Sequence, residues 1–166
     1  MSLLIVNVLP AEDKTAQEAI RQLKPDKVLQ TTTMRLLPCI GCNDCWLKTP
    51  GVCAIKDDYP ELLKGYLTYD ATVFVAATAL GFVDYRMKNL TDRLLPLATM
   101  YTCFVDGEMR HVPRYDKQYR FGLLYKGDAD EDYLNRWLAR TALNMNGVSL
   151  GAFPIEQAEE AFSCIL

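Results

Sequence analysis

The residues with the most evident chemistry are four cysteines in fifteen positions, "CIGCNDCWLKTPGVC", spaced C-x2-C-x2-C-x7-C from Cys39 to Cys53. Two successive C-x2-C steps with a more distant fourth thiol suit a [4Fe–4S] cluster, whose cube needs four converging thiolates at Cys39, Cys42, Cys45 and Cys53. Zinc usually takes two separated pairs, and the second pair is missing here. A C-x-x-C redox pair is the third chemistry, because that motif occurs twice in overlap. The fourth reading is structural: thiols that pack, with Gly41 and Gly51 shaping turns. Spacing alone leaves these readings open.

The elements that must position this loop are those of an α/β chain. "LLIVNV" (3–8) and "ATVFVAAT" (71–78) are continuous apolar runs, as in strands covered on both faces. "KVLQTTTMRLL" (27–37), "YRFGLLYKG" (119–127) and "VSLGAF" (148–153) supply three more strands. Helices are expected after Asp13 as far as Pro25, over 57–70, over 85–97 with Met87, Leu90, Leu94 and Leu97 on one face, and over 130–147. A short closing helix spans 155–162. Asp106-Gly107 marks a hairpin inserted over about 101–117. This order predicts a flavodoxin-like open five-stranded parallel sheet, order 2-1-3-4-5, with helices on both faces. In such sheets ligands bind beyond the carboxyl ends of the strands.

The chain has 166 residues, enough for one domain, 1–166, that buries roughly 70% of its unfolded surface without disulfide staples. Eighteen basic against twenty-one acidic side chains give a net charge of −3, which argues against capture of nucleic acid or an anionic membrane. No segment approaches the ~20 apolar residues of a membrane span. "MSLLIVNVLP" lacks the marks of a signal peptide, so a cytoplasmic setting with reduced thiols is expected. Cys103 and Cys164, far from the loop, read as buried small hydrophobes. His111 reads as a surface or packing residue, and Asp57-Asp58 as caps of the helix they open.

"PCIGCNDCWLKTPGVCAIKDDY" resembles the cysteine-rich segment of the flavodoxin-like NADPH-dependent FMN reductase family, including its iron–sulfur flavoprotein branch. "MKNLTDRL" (87–94) resembles the family's lysine- and Asp-Arg-bearing helix, with strand 71–78 between the two motifs. The resemblance implies FMN at the carboxyl edge of the sheet, reduced by NAD(P)H and passing electrons to a small acceptor or to a cluster. It places the phosphate in "VLPAEDKT" (8–15), where Pro10 and Thr15 match and Lys14 adds positive charge. Val8, Leu9 and Ala11 replace the family's Gly, Ser and Arg, and Glu12 and Asp13 add negative charge, which helix capping explains. It places the flavin ring against Thr78, Ala79, Leu80, Gly81 and Phe82, and against Tyr125 and Gly127 in the third loop. Relatives of this kind associate as homodimers or homotetramers, and the hairpin is suited to that interface. Two alternatives belong to other classes: a member without FMN that serves as a partner subunit, and a thiol-based redox sensor.

Overall fold

The computed structural model describes residues 1–105 and 107–162. Asp106 of the expected turn and Cys164 lie outside the described residues.

The apolar runs become the interior of a parallel sheet. β1 (Leu3–Asn7) lies between β2 (Lys27–Gln30) and β3 (Ala71–Ala79), and β7 (Tyr119–Lys126) and β8 (Gly147–Pro154) complete the order β2-β1-β3-β7-β8. This is the predicted 2-1-3-4-5 order. Ile5 pairs with Val73, and Val73 with Gly122. A two-residue strand, β4 (Phe82–Val83), folds back antiparallel on the end of β3. The expected hairpin is β5 (Ala98–Val105) with β6 (Glu108–Pro113), a separate two-stranded sheet.

Alternation along the strands sorts the core into two layers. Leu3, Ile5, Val73 and Val75 face α1 (Lys14–Leu23) and α6 (Ala158–Ala161). Leu4, Val6, Phe74 and Ala76 face α3 (Tyr59–Thr68), α4 (Tyr85–Asp92) and α5 (Glu131–Asn144). Aspartates open the helices that leave the carboxyl edge: Asp13 caps α1, Asp84 caps α4 and Asp130 caps α5.

Three expectations change. The strand over 27–37 stops at Gln30 because the next residues form a 3-10 turn, with the Thr31 hydroxyl donating to the Asn7 carbonyl and the Thr33 hydroxyl to the Gln30 carbonyl. The helix over 85–97 ends at Asp92, and Leu95–Leu97 with Pro96 form a separate 3-10 turn. Cys103 is exposed on the hairpin rather than buried. β8 carries a bulge: Phe121 pairs with Ser149 and Gly122 with Gly151, so Leu150 is skipped and Gly151 takes φ +97°.

Candidate functional site

Three loops leave the carboxyl edge after β1, β3 and β7, where a ligand of such a sheet binds. The first is closed by its own side chains. Asn7 donates through Nδ2 to Gln30 Oε1 at 2.7 Å and accepts through Oδ1 from the Leu9 amide at 3.1 Å. Gln30 Nε2 donates to the Leu9 carbonyl at 2.7 Å, and Gln17 Nε2 to the Ala11 carbonyl at 2.8 Å. Val8 and Leu9 are buried. Asp13 accepts from the Ala16 amide at 3.0 Å and from Lys126 Nζ at 2.6 Å. The Lys126 hydrogen bond holds the Asp13 carboxyl below the usual range, burial opposes it, and the Ala16 and Thr15 amides add to the lowering.

The expected phosphate contacts at Pro10, Lys14 and Thr15 therefore meet a different arrangement. Pro10 and Lys14 are exposed, and Lys126, from β7, is the cation that faces the loop. The Thr15 amide already serves Asp13. Asp13 thereby takes the Ala16 amide and Lys126 Nζ, two donors that a phosphate at this helix start would otherwise use.

The second and third loops are joined to each other. Thr78 Oγ1 donates to the Lys126 carbonyl at 3.2 Å, and the Asp130 amide to the Gly81 carbonyl at 3.0 Å. Leu80 and Gly81 both take left-handed backbone, φ +55° and +78°, as a two-residue hairpin turn requires. This turns Leu80 fully into solvent beside the exposed Ala79. A left-handed leucine is strained, and strain of this kind concentrates at ligand-facing turns. Gly127 takes φ +117°, and a Cβ there would lie 2.7 Å from Thr78 Oγ1. Two residues expected to touch a flavin ring also pack against other side chains of the protein. Phe82 meets Tyr133 and Trp137 at ring distances of 5.3 and 5.0 Å, and Tyr125 is buried in the core.

The cysteine loop is organised around Arg93, a residue to which sequence reasoning gave no role. Its side chain is buried at 2% exposure and pairs with Asp57, at 0%. Nη1 donates to Asp57 Oδ2 and, at 2.9 Å, to the Leu37 carbonyl. Nη2 donates to Asp57 Oδ1 at 3.0 Å and to Cys53 Sγ at 3.3 Å. The guanidinium sits 4.1 Å from the centre of the Tyr59 ring. Asp57 also accepts from the Leu37 and Tyr59 amides, and Asp58 from the Arg35 amide. The acidic pair thus does more than open a helix; it closes both ends of the loop. Trp46, on the short helix α2 (Asp44–Leu47), donates to the Leu95 carbonyl at 2.7 Å and packs on His111 at 4.9 Å.

Within this frame Cys39 and Cys42 are exposed, Cys53 is half-buried and Cys45 is buried. Burial, then the neighbouring cysteines, push the Cys45 thiol up. Among the described residues no three histidine, cysteine, aspartate or glutamate side chains are placed to hold a metal ion. As folded, the loop does not bring Cys39, Cys42, Cys45 and Cys53 into one ligand set.

Between the segment that follows β2, residues 31–37, and α4 lies a cavity of about 320 Å³, lined by Thr31, Thr32, Leu36, Tyr85, Asn89 and Arg93 among others. It mixes hydroxyl, amide and guanidinium groups with apolar walls, the make-up of a small-molecule site.

Solved structures share this architecture. RosB, in complex with the intermediate 8-demethyl-8-formylriboflavin-5′-phosphate, superposes with a TM-score of 0.61 at 13% identity, covering 93% of this chain and 65% of RosB. The azoreductase AzrA superposes at 0.56 with 13% identity, covering 98% and 94%. A flavone reductase superposes at 0.54 with 15% identity, covering 98% and 60%. The fold is flavodoxin-like. The expected resemblance to the flavodoxin-like reductases holds at the level of architecture. No family model matches the sequence. One curated relative, an iron–sulfur flavoprotein of Methanocaldococcus jannaschii, is 42% identical over 62 residues, which span 37% of this chain and 31% of that protein. No helix among the described residues is long and apolar enough to cross a membrane.

Proposed function

We propose that this chain is a flavin-dependent oxidoreductase driven by NAD(P)H. The observation that carries the reading is the junction of the loops after β3 and β7, with Gly81, Ala129 and Asp130 in backbone contact beside the exposed Leu80. Backbone groups held this way suit a flat, polar-edged ring. A flavin bound there would accept hydride from a nicotinamide and pass electrons to a small acceptor. The chain's own residues would bind and orient: Thr78 and Gly127 fix the loop separation, and Lys126 with Asp13 fixes the start of α1. The cavity under Arg93 lies within the size range of small-molecule sites and would take the acceptor.

The finer form of this reading takes FMN, with its phosphate at Pro10, Lys14 and Thr15. The reading also has two copies associating through the hairpin, whose Tyr101, Phe104 and Met109 are 69%, 76% and 61% exposed. One observation favours a second reading, a partner subunit without cofactor: the loop after β1 is closed on itself by Asn7, Gln30 and Asp13. Titration with flavins, followed by NADH and NADPH oxidation with a quinone or azo acceptor, tests the choice. Saturable flavin binding with turnover supports the oxidoreductase. A folded chain that binds no flavin assigns it to the partner reading.

A further inference from the structure

The cavity beside α4 carries charge of one sign. Arg86 and Arg93 both stand in its wall, and no aspartate or glutamate does. Arg93 is neutralised from behind by the buried Asp57. Arg86 is exposed, and its Nε donates to the Tyr85 hydroxyl at 3.2 Å. It joins no ion pair among the described residues. Asp84, the acid that acts on it, caps α4 and already accepts from the Arg86 and Met87 amides.

Other polar groups of the wall also lack partners. The half-buried Asn89 makes no side-chain hydrogen bond among the described residues. Thr32 Oγ1 accepts from Gln30 Nε2 at 2.7 Å, which leaves its own O–H free to donate. Arg93 Nε is buried without a partner, whereas most buried donors in proteins are paired. The rest of the wall is apolar: Met34, Leu36, Leu90 and the buried Tyr59.

We infer that this cavity binds an aromatic acid of one or two rings, with its carboxylate at Arg86 and Asn89 and its ring on the apolar floor. An electron-acceptor role for such a ligand rests on the flavin reading above; its binding does not. Arg86 and Asn89 are three residues apart on α4 and so share a helix face. A carboxylate is an acceptor only, so it can use a guanidinium, an amide N–H and a hydroxyl together. A cationic ligand would meet two arginines and no acid. The volume of about 320 Å³ is at the low end for small-molecule sites, which suits one or two rings and not a dinucleotide. Tyr85, 69% exposed beside Arg86, is free to cover the ring.

The test is isothermal titration calorimetry of the full chain, without flavin, with naphthoate and with its neutral amide near neutral pH. Wild type is expected to bind the acid about ten-fold tighter than the amide. Arg86→Gln is expected to abolish that preference while still binding the amide. Asn89→Ala is expected to weaken both ligands about five-fold. Lys27→Gln removes the same charge from the exposed start of β2, away from the cavity, and is expected to leave both affinities unchanged. Arg86→Met takes the place of R86Q if that variant fails to fold. No binding of naphthoate by wild type, equal affinity for acid and amide, or a loss of preference in K27Q as large as in R86Q overturns the inference. Naphthoate binding by a chain that takes no flavin keeps the inference and removes only the acceptor role.

Discussion

Arg93 grips Asp57 through both guanidinium nitrogens and turns Nη2 toward Cys53 Sγ at 3.3 Å. Residues 36 positions apart are thereby joined, and the cysteine loop is fastened to the end of α4. Removing one partner of a buried pair leaves the other charge unpaired, which costs about 3–5 kcal/mol. We expect Arg93→Met to lose stability on that scale in urea melts. It should also expose the 38–56 segment to limited proteolysis while the sheet stays folded. Arg93→Lys keeps the charge but not the fork, and should fall between the two. A variant as stable as wild type would show that the pair does not hold the loop.

Acid should act through the same pair. Burial pushes the Asp57 carboxyl up, but the Arg93 hydrogen bonds and the Leu37 and Tyr59 amides outweigh it, so its pKa lies below the usual 3.8. A lowered carboxylate contributes its full stability above the unfolded value and loses it as pH falls through the folded one. Asp13 behaves alike through Lys126. We therefore expect stability to fall below about pH 4. Asp57→Asn should be less stable near neutrality and show a shallower acid slope in melts taken between pH 5 and 2. An unchanged slope would assign the acid sensitivity elsewhere.

Thiol labelling should follow exposure. Cys39, Cys42 and Cys103 lie open, and Cys45 is buried with its thiol pushed up. Because the thiolate is the reactive form, brief iodoacetamide treatment should mark the three open thiols first and Cys45 last, as read by peptide mass spectrometry. Early labelling of Cys45 would mean that the loop opens on that timescale.

A Cβ at position 127 would meet Thr78 Oγ1 at 2.7 Å on a backbone of φ +117°. We expect Gly127→Ala to cost about 1–3 kcal/mol and to weaken flavin binding by separating the second and third loops. Adding Thr78→Ala should recover part of the stability, since it removes the clash but not the backbone strain. No recovery would place the whole cost in the backbone.

Association of two copies through the hairpin predicts that Phe104→Glu lowers the mass measured by light scattering to that of one chain. The hairpin exposes both of its faces, and an isolated two-stranded sheet is marginal in water. A wild-type chain that is monomeric across concentration would remove this expectation.

The sheet was legible because its strands are continuous apolar runs; Leu3 to Val6 and Ala71 to Ala76 can only be buried on both faces. Helix starts were legible where aspartates cap them. The site was not, because its ties link distant positions. Lys126 reaches Asp13 across 113 residues, and nothing in "YRFGLLYKG" marks that lysine as the partner of a cap. Thr31 to Thr33 read as strand because threonine favours strands, but their hydroxyls bond the carbonyls that a longer strand would have used. Arg93 follows an apolar stripe and looks like an ordinary surface charge. Its Asp-Arg motif in "MKNLTDRL" was the available signal.

The bulge in β8 governs how copies of this molecule can meet. β8 is an edge strand, and an edge with regular unpaired amides invites another strand to extend the sheet. Skipping Leu150 and setting Gly151 at φ +97° breaks that regular row, while the Gly151 amide is already taken by Ser149 Oγ at 3.1 Å. The opposite edge, β2, is only four residues long and ends in a turn. The parallel sheet is therefore sealed at both sides against end-to-end growth into fibrils, so a crowded solution of this chain should favour discrete assemblies over open-ended ones.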